Sequence, residues 1–252
     1  MQGNPKAKKP FYKKKRFIVL IVIVAFVFVG MLVTGNDDEA VPTAQTTQSN
    51  QQQSNADASS QAEAIEDTVE NVSTRDNSSA ELTTLFSGTF TVGQDIPAGR
   101  YIITGDGQGN LFVYSNGLPI VNEILDDGTG MFGLGVPSVT TDLEDGHEIE
   151  ISGINNVIFT PATTEMSTVL TTGSWVVGLD IPVGSYDATP THSSESGNLF
   201  VYSQRGLPVV NEILAGADSD MLDFGLGVER IRVNLQHGQT IEISGISSVS
   251  FN

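Results

Sequence analysis

The C-terminal two-thirds of the chain runs through one pattern twice, and this duplication restricts the possible folds more than any other feature. Residues 85–159 and 170–251 share, in the same order, Leu-Phe-Val-Tyr-Ser, Asn-Glu-Ile-Leu, Phe-Gly-Leu-Gly-Val and Ile-Glu-Ile-Ser-Gly-Ile. Gly93, Asp95, Ile96, Pro97, Gly99 and Tyr101 return as Gly178, Asp180, Ile181, Pro182, Gly184 and Tyr186. The folding unit is therefore about 80 residues, enough to enclose a small core. Repetition also sorts the residues, because those the fold requires should recur while a unique catalytic group need not.

The period of each unit is two, not 3.6. Val139, Thr141 and Leu143 alternate with Thr140 and Asp142, as Ile231, Val233 and Leu235 do with Arg232 and Asn234. After Asp145-Gly146 or His237-Gly238, Ile149 and Ile151 oppose Glu148 and Glu150, and Ile241 and Ile243 oppose Thr240 and Glu242. This predicts a half-buried antiparallel hairpin in each copy. Further strands are predicted around Phe90 and Val92 (Trp175 and Val177), at Tyr101 and Ile103, and over Asn110–Ser115. After an Asn116-Gly117 turn comes Leu118–Leu125, and a last short strand ends at Phe159 or Phe251. The expectation is an all-β protein of two tandem antiparallel β-sandwiches, jelly-roll-like, over residues 83–161 and 169–252, with seven or eight strands each. Helix is expected only in the apolar segment near the N-terminus.

Charge is segregated. Seven of the twelve basic residues precede residue 17, and the remaining chain carries 5 basic against 30 acidic residues, a formal −25. Such a surface repels phosphate backbones, which disfavours nucleic acid as a partner. After the basic tail (residues 1–16), Phe17–Val33 holds seventeen residues without a charged or polar side chain. With Thr34 and Gly35 this segment (residues 17–35) predicts a single membrane-spanning helix of at least roughly 25 Å. The positive-inside bias keeps its N-terminus in the cytoplasm and places the repeats outside the cell. A cleaved secretory signal ending near Val33-Thr34-Gly35 is the alternative, and it also exports the repeats. Residues 36–82 are rich in Gln, Ser, Thr, Asn and acids, which predicts a disordered polar linker spanning roughly 35–40 Å. The chain has no cysteine, so disulfides, thiolate metal sites and cysteine nucleophiles are excluded. No cofactor is expected.

Gly93–Tyr101 and Gly178–Tyr186 resemble a Gly-x-Asp-Ile-Pro-x-Gly-x-Tyr stretch found in repeated β domains of exported proteins and lipoproteins of Gram-positive bacteria. The resemblance covers about nine residues of each repeat and extends to the order of basic tail, apolar anchor, polar stalk and repeats. It implies a bacterial envelope setting and non-enzymatic behaviour. Without a cysteine to carry lipid, attachment falls to Phe17–Val33.

Several side chains invite a functional reading. Leu-Phe-Val-Tyr has no polar face, so Phe112 and Tyr114, or Phe200 and Tyr202, form either a stacking surface or part of the core; core is favoured. Asn122 and Glu123, like Asn211 and Glu212, point to opposite faces of a strand that is otherwise apolar. They are either polar anchors on an apolar patch or, as favoured, edge-strand residues with Asn bonded to backbone and Glu in solvent. Asp95 and Asp180 fit turn formation, accepting from backbone two residues on. The three histidines do not recur, so they are read as solvated turn residues. Asp126-Asp127 and Asp218-Ser219-Asp220 suggest calcium loops only weakly, because neither reaches the closing Glu of an EF-hand. No nucleophile elbow, phosphate loop or zinc motif is present.

The leading expectation is a non-enzymatic, membrane-anchored extracytoplasmic binding or adhesion module whose partners are a cell-wall glycan or an envelope or host surface protein. Its duplicated domains would raise the effective local concentration. The alternatives are a wall-polymer hydrolase using carboxylates such as Glu123 and Glu150, and a purely structural envelope protein.

Overall fold

Alternating aliphatic residues fill two separate cores. In the first, Leu111 and Val113 meet Ile149, Ile151, Val139 and Phe159; in the second, Leu199 and Val201 meet Ile241, Ile243, Val233 and Phe251. The computed structural model describes residues 75–130 and 135–252, all within the unit Glu66–Asn252. The predicted basic tail, apolar span and most of the linker lie outside the described residues. Among those described, no helix is long and apolar enough to cross a membrane.

The first repeat comprises β1 (Thr83–Leu85), β2 (Gly88–Thr91), β3 (Gly99–Gly105), β4 (Gln108–Ser115), β5 (Leu118–Asp126), β6 (Val139–Leu143), β7 (Glu148–Ser152) and β8 (Val157–Pro161). Its strands form two antiparallel sheets of order β1-β8-β3-β6 and β2-β7-β4-β5. That is the order of a double-sheet jelly roll. The second repeat comprises β9 (Val169–Val176), β10 (Gly184–Pro190), β11 (Ser196–Tyr202), β12 (Pro208–Ala215), a one-turn helix α1 (Asp220–Asp223), β13 (Ile231–Leu235) and β14 (Thr240–Phe251). Here β9 and β14 run unbroken through both sheets. Val169–Thr171 pairs with Ser248–Ser250 in one sheet, and Gly173–Val176 pairs with Thr240–Ile243 in the other. The first pairing extends to β10 and β13, the second to β11 and β12, so the strand order is that of the first repeat.

Three expectations are corrected. The segments after Val139 and Ile231 are not hairpins: β6 bonds to β3, whereas β7 bonds to β2 and β4 in the opposite sheet. The alternation was visible, but both strands bury their odd-numbered residues into one core from opposite sides. The turn is drawn across by Val92, whose N–H donates to the His147 carbonyl (2.9 Å) while its carbonyl accepts from the Gly146 N–H (3.0 Å). The β4–β5 connection is a true hairpin, with Asn116 and Gly117 both at positive φ (52° and 77°), as a type I′ turn requires. Helix also occurs inside the second repeat, where Ser219 caps α1 by accepting from the Met221 N–H. Finally, the described part of the predicted linker, residues 75–82, is packed on the first repeat. The Asn77 amide accepts from the Arg100 N–H (2.6 Å) and donates to the Arg100 and Ala162 carbonyls.

The shared nine-residue motif is a corner. The Asp95 carboxylate accepts from the Thr91 N–H (2.7 Å) and the Asp180 carboxylate from the Val176 N–H (2.8 Å), four residues back rather than two residues on. Ile96 and Ile181 are buried beneath. The Tyr101 and Tyr186 hydroxyls donate to the Pro97 and Pro182 carbonyls at 2.9 and 3.0 Å, closing the corner identically in both copies.

The two repeats are joined along β6 and β9, which run parallel with Thr140 beside Gly173. A Cβ on Gly173 would overlap the Thr140 backbone, and its φ of 134° is rare for other residues. Over this seam lies a neutral group of two arginines and two aspartates. Arg75 holds Asp180 through two bonds (2.9 and 3.2 Å) and reaches Asp142 at 3.0 Å. Arg100, only 1% exposed, donates to Asp142 (2.8 Å) and to the Ser174 carbonyl (2.8 Å), with its guanidinium 4.8 Å from the centre of the Trp175 ring. Buried arginine persists where its charge is balanced and its donors are used, and both conditions hold here.

Candidate functional site

The register of the second sheet decides where the candidate residues point. Directly opposed residues in antiparallel strands share a face. In the first repeat Thr89 faces Glu150, Glu150 faces Phe112, and Phe112 faces Asn122, giving one row across four strands. In the second repeat Ser174, Glu242, Phe200 and Asn211 form the same row. One step along the central strand, Tyr114 pairs with Glu148, and Tyr202 with Thr240. Leu111 and Val113, or Leu199 and Val201, occupy the opposite face and are fully buried. The aromatics are therefore not core, contrary to the reading favoured from sequence. They stand half-buried on the outer face, because the core-facing parity of β4 and β11 is taken by the aliphatic residues.

On that face the rings form a nearly parallel, stacked pair. Phe112 and Tyr114 lie 6.0 Å apart between centroids with planes inclined by 13°; for Phe200 and Tyr202 the values are 6.0 Å and 16°. The Tyr114 hydroxyl stands near Glu150, and the Tyr202 hydroxyl near Glu242. Burial followed by the nearby carboxylate charge pushes Tyr202 up to about 12, and Tyr114 rises for the same reasons. Glu242 is also raised, by burial, with the neighbouring Tyr202 hydroxyl opposing. Asn122 is half-buried and Asn211 exposed, and neither amide has a hydrogen-bond partner among the described residues, so the backbone bond expected for them is not made. Beyond the rings a bulge in the edge strand places Pro119 opposite Tyr114 and Pro208 opposite Tyr202, and Leu118 and Ile120, or Leu207 and Val209, are exposed around it. The result in each copy is a pair of rings beside a proline of the edge strand, flanked by a carboxylate and an open amide.

Glu123 belongs elsewhere. It lies opposite Leu111, on the inward face of edge strand β5, and is 8% exposed. Both carboxylate oxygens accept from the Gly245 N–H of the second repeat (3.1 and 3.2 Å). The solvated position expected for it is thus wrong: docking of the second repeat covers it. Desolvation pushes its pKa up to about 8, with the Gly245 bond pulling the other way. Its counterpart Glu212 is half-buried and accepts only from its neighbour, the Ile213 N–H (3.3 Å). The sequence candidates therefore split. Phe112, Tyr114 and Asn122 come together with Glu150, and Phe200, Tyr202 and Asn211 with Glu242, while Glu123 and Glu212 lie on the other side of the sheet.

The remaining candidates are structural. His147 is buried rather than solvated; its Nδ1 accepts from the Glu144 N–H (3.2 Å), the role that the Gln239 amide plays toward the Gln236 N–H (2.8 Å). His192 and His237 are exposed. The Asp126 carboxylate accepts from the Gly128 and Gly130 N–H groups and from Gln108, and Asp127 accepts from Gly107 and Thr129. These bonds organise the loop itself. No group of three or more metal-ligating side chains occurs among the described residues. Comparison of the chain with protein families and with curated proteins finds no match.

Proposed function

We propose that the protein is a membrane-anchored, extracytoplasmic glycan-binding module of the bacterial envelope, with one binding face on the second sheet of each repeat. The observation that carries this reading is the recurrence of the row Thr/Ser–Glu–Phe–Asn, with a tyrosine stacked on the phenylalanine, in two copies that differ elsewhere. Aromatic rings pack against the C–H faces of sugar rings, and a neighbouring carboxylate and free amide supply acceptors and donors for hydroxyls. Nothing in the fold requires half-exposed rings there, since both cores are already complete. The apolar segment Phe17–Val33 and the polar stretch after it would hold the two faces away from the membrane. Two linked sites then gain avidity for a polymeric ligand.

The hydrolase alternative finds less support. Glycosidases need two carboxylates across the scissile bond. The second repeat has Thr240 where the first has Glu148, leaving Glu242 as the one acid in its two central rows, and Glu123 is committed to the seam. The full chain in detergent micelles, screened on a glycan array beside a Phe112→Ala/Phe200→Ala variant, tests the proposal. Glycans retained by the parent and lost by the variant at unchanged melting temperature support it. No retention by either, or equal retention by both, refutes it.

A further inference from the structure

We infer that the two faces select glycans bearing free ammonium groups, that is, N-deacetylated amino sugars, over their neutral or anionic counterparts. This inference rests on the glycan-binding reading and adds the charge of the ligand. Three observations carry it. First, each face holds a carboxylate, Glu150 or Glu242, beside a stacked ring pair, the arrangement that favours a cation near aromatic faces. Second, no basic side chain stands in these rows. The residues around the carboxylates are Thr89, Asn110, Asn122 and Ser152 in the first repeat, and Ser174, Asn198, Asn211 and Ser244 in the second, with Glu148 adding further negative charge in the first. Two of the five arginines beyond residue 16, Arg75 and Arg100, are consumed at the seam, and Arg232 is held by Asp187. Third, the chain beyond residue 16 carries a formal −25, which raises the local concentration of cations and excludes polyanions.

Together these define a complementary ligand: a pyranose packed against the exposed side of the ring pair, with its ammonium toward the glutamate. Burial discourages the charge on Glu242 when no cation is present, and a bound ammonium reverses that. The first face, with Glu148 as a second acid beside Tyr114, is the stronger of the two for a cation.

The test compares β-1,4-linked glucosamine hexamer with N-acetylglucosamine hexamer, polymers that differ only in the charge and bulk at nitrogen. Calorimetry with the full chain in neutral detergent at pH 6 gives the affinities. The expected result is a roughly tenfold advantage for the deacetylated hexamer, shrinking as salt is raised. A Glu150→Gln/Glu242→Gln variant should lose that advantage while still binding the acetylated hexamer. Equal affinities, or an acetylated preference that Phe112→Ala/Phe200→Ala abolishes, overturn the charge selection and leave the glycan face standing. Binding of the deacetylated hexamer that neither pair of substitutions weakens identifies nonspecific attraction to an acidic chain and overturns the inference. Binding of neither hexamer overturns it together with the choice of these sugars as ligands.

Discussion

Replacing Glu123 with glutamine should make the protein more stable at neutral pH and remove much of the pH dependence of its stability. The carboxyl is buried at the seam with one donor, the Gly245 N–H, to share between two oxygens, and its pKa rises from an ordinary 4.5 to about 8. The sign follows from proton counting. Below pH 4.5 the group is protonated whether the chain is folded or not, and it has no effect. Above 4.5 the unfolded chain releases a proton that the folded chain keeps, so stability falls by about 1.4 kcal/mol per pH unit until the folded group ionises near pH 8. The full span corresponds to roughly 5 kcal/mol, a large share of the 5–15 kcal/mol typical of a whole domain. Glutamine keeps the shape and an acceptor for Gly245 but cannot ionise. Urea denaturation followed through Trp175, the chain's single tryptophan and part of the same seam, reads the effect. Between pH 5 and pH 8 the gap between Glu123→Gln and the parent should shift by about 4 kcal/mol in favour of the variant. Glu242, also raised, contributes equally to both proteins and cancels. Parallel stability curves across that range would show that Glu123 is solvated and that the repeats do not cover it.

The seam makes two more predictions. Arg100→Met should cost about 1–3 kcal/mol in the same denaturation assay, because it removes the donor to the Ser174 carbonyl and leaves Asp142 and the buried Asp180 with Arg75 as their one cation. A loss under 1 kcal/mol would mean that the cluster is effectively solvated. Gly173→Ala should destabilise the protein more than Gly88→Ala at the matching position in the first repeat. A methyl at Gly173 meets the backbone of Thr140, whereas at Gly88 it meets only the edge of the Phe90 ring at 3.3 Å. Equal melting temperatures for the two variants would contradict the parallel contact between β6 and β9.

How much was legible depended on whether a residue's environment was set within its own repeat. The alternation at Val139–Leu143 and Ile149–Ile151 identified strands and their buried faces, because a period of two is a local property. It did not identify their partners, so two strands of opposite sheets passed for a hairpin. The Leu-Phe-Val-Tyr strand was ambiguous by itself, since both parities are apolar. Its register with β7 resolves it: Phe112 stands beside Glu150, whose polar face was already evident, and that pairing arises only in three dimensions. The seam was hidden for a different reason. Three of its residues fail to recur, with Arg100 matched by Ser185, Asp142 by Asn234 and Trp175 by Phe90, while Asp180 and Gly173 repeat Asp95 and Gly88. Recurrence was taken as the mark of structural necessity, which holds within a repeat. Departures from it mark what each copy does alone, and here that is mostly contact with the other. Glu123 carried no such mark, because Glu212 repeats it in a setting without a docked neighbour.

The most direct test of the account is the number of ligand sites per chain. With a glycan retained on the array, isothermal titration of the full chain should give two sites for the parent, one each for Phe112→Ala and Phe200→Ala, and none for the double variant, with melting temperatures unchanged. A single site that survives both substitutions would place recognition elsewhere on the molecule and contradict the claim that the paired rings of each second sheet are the binding faces.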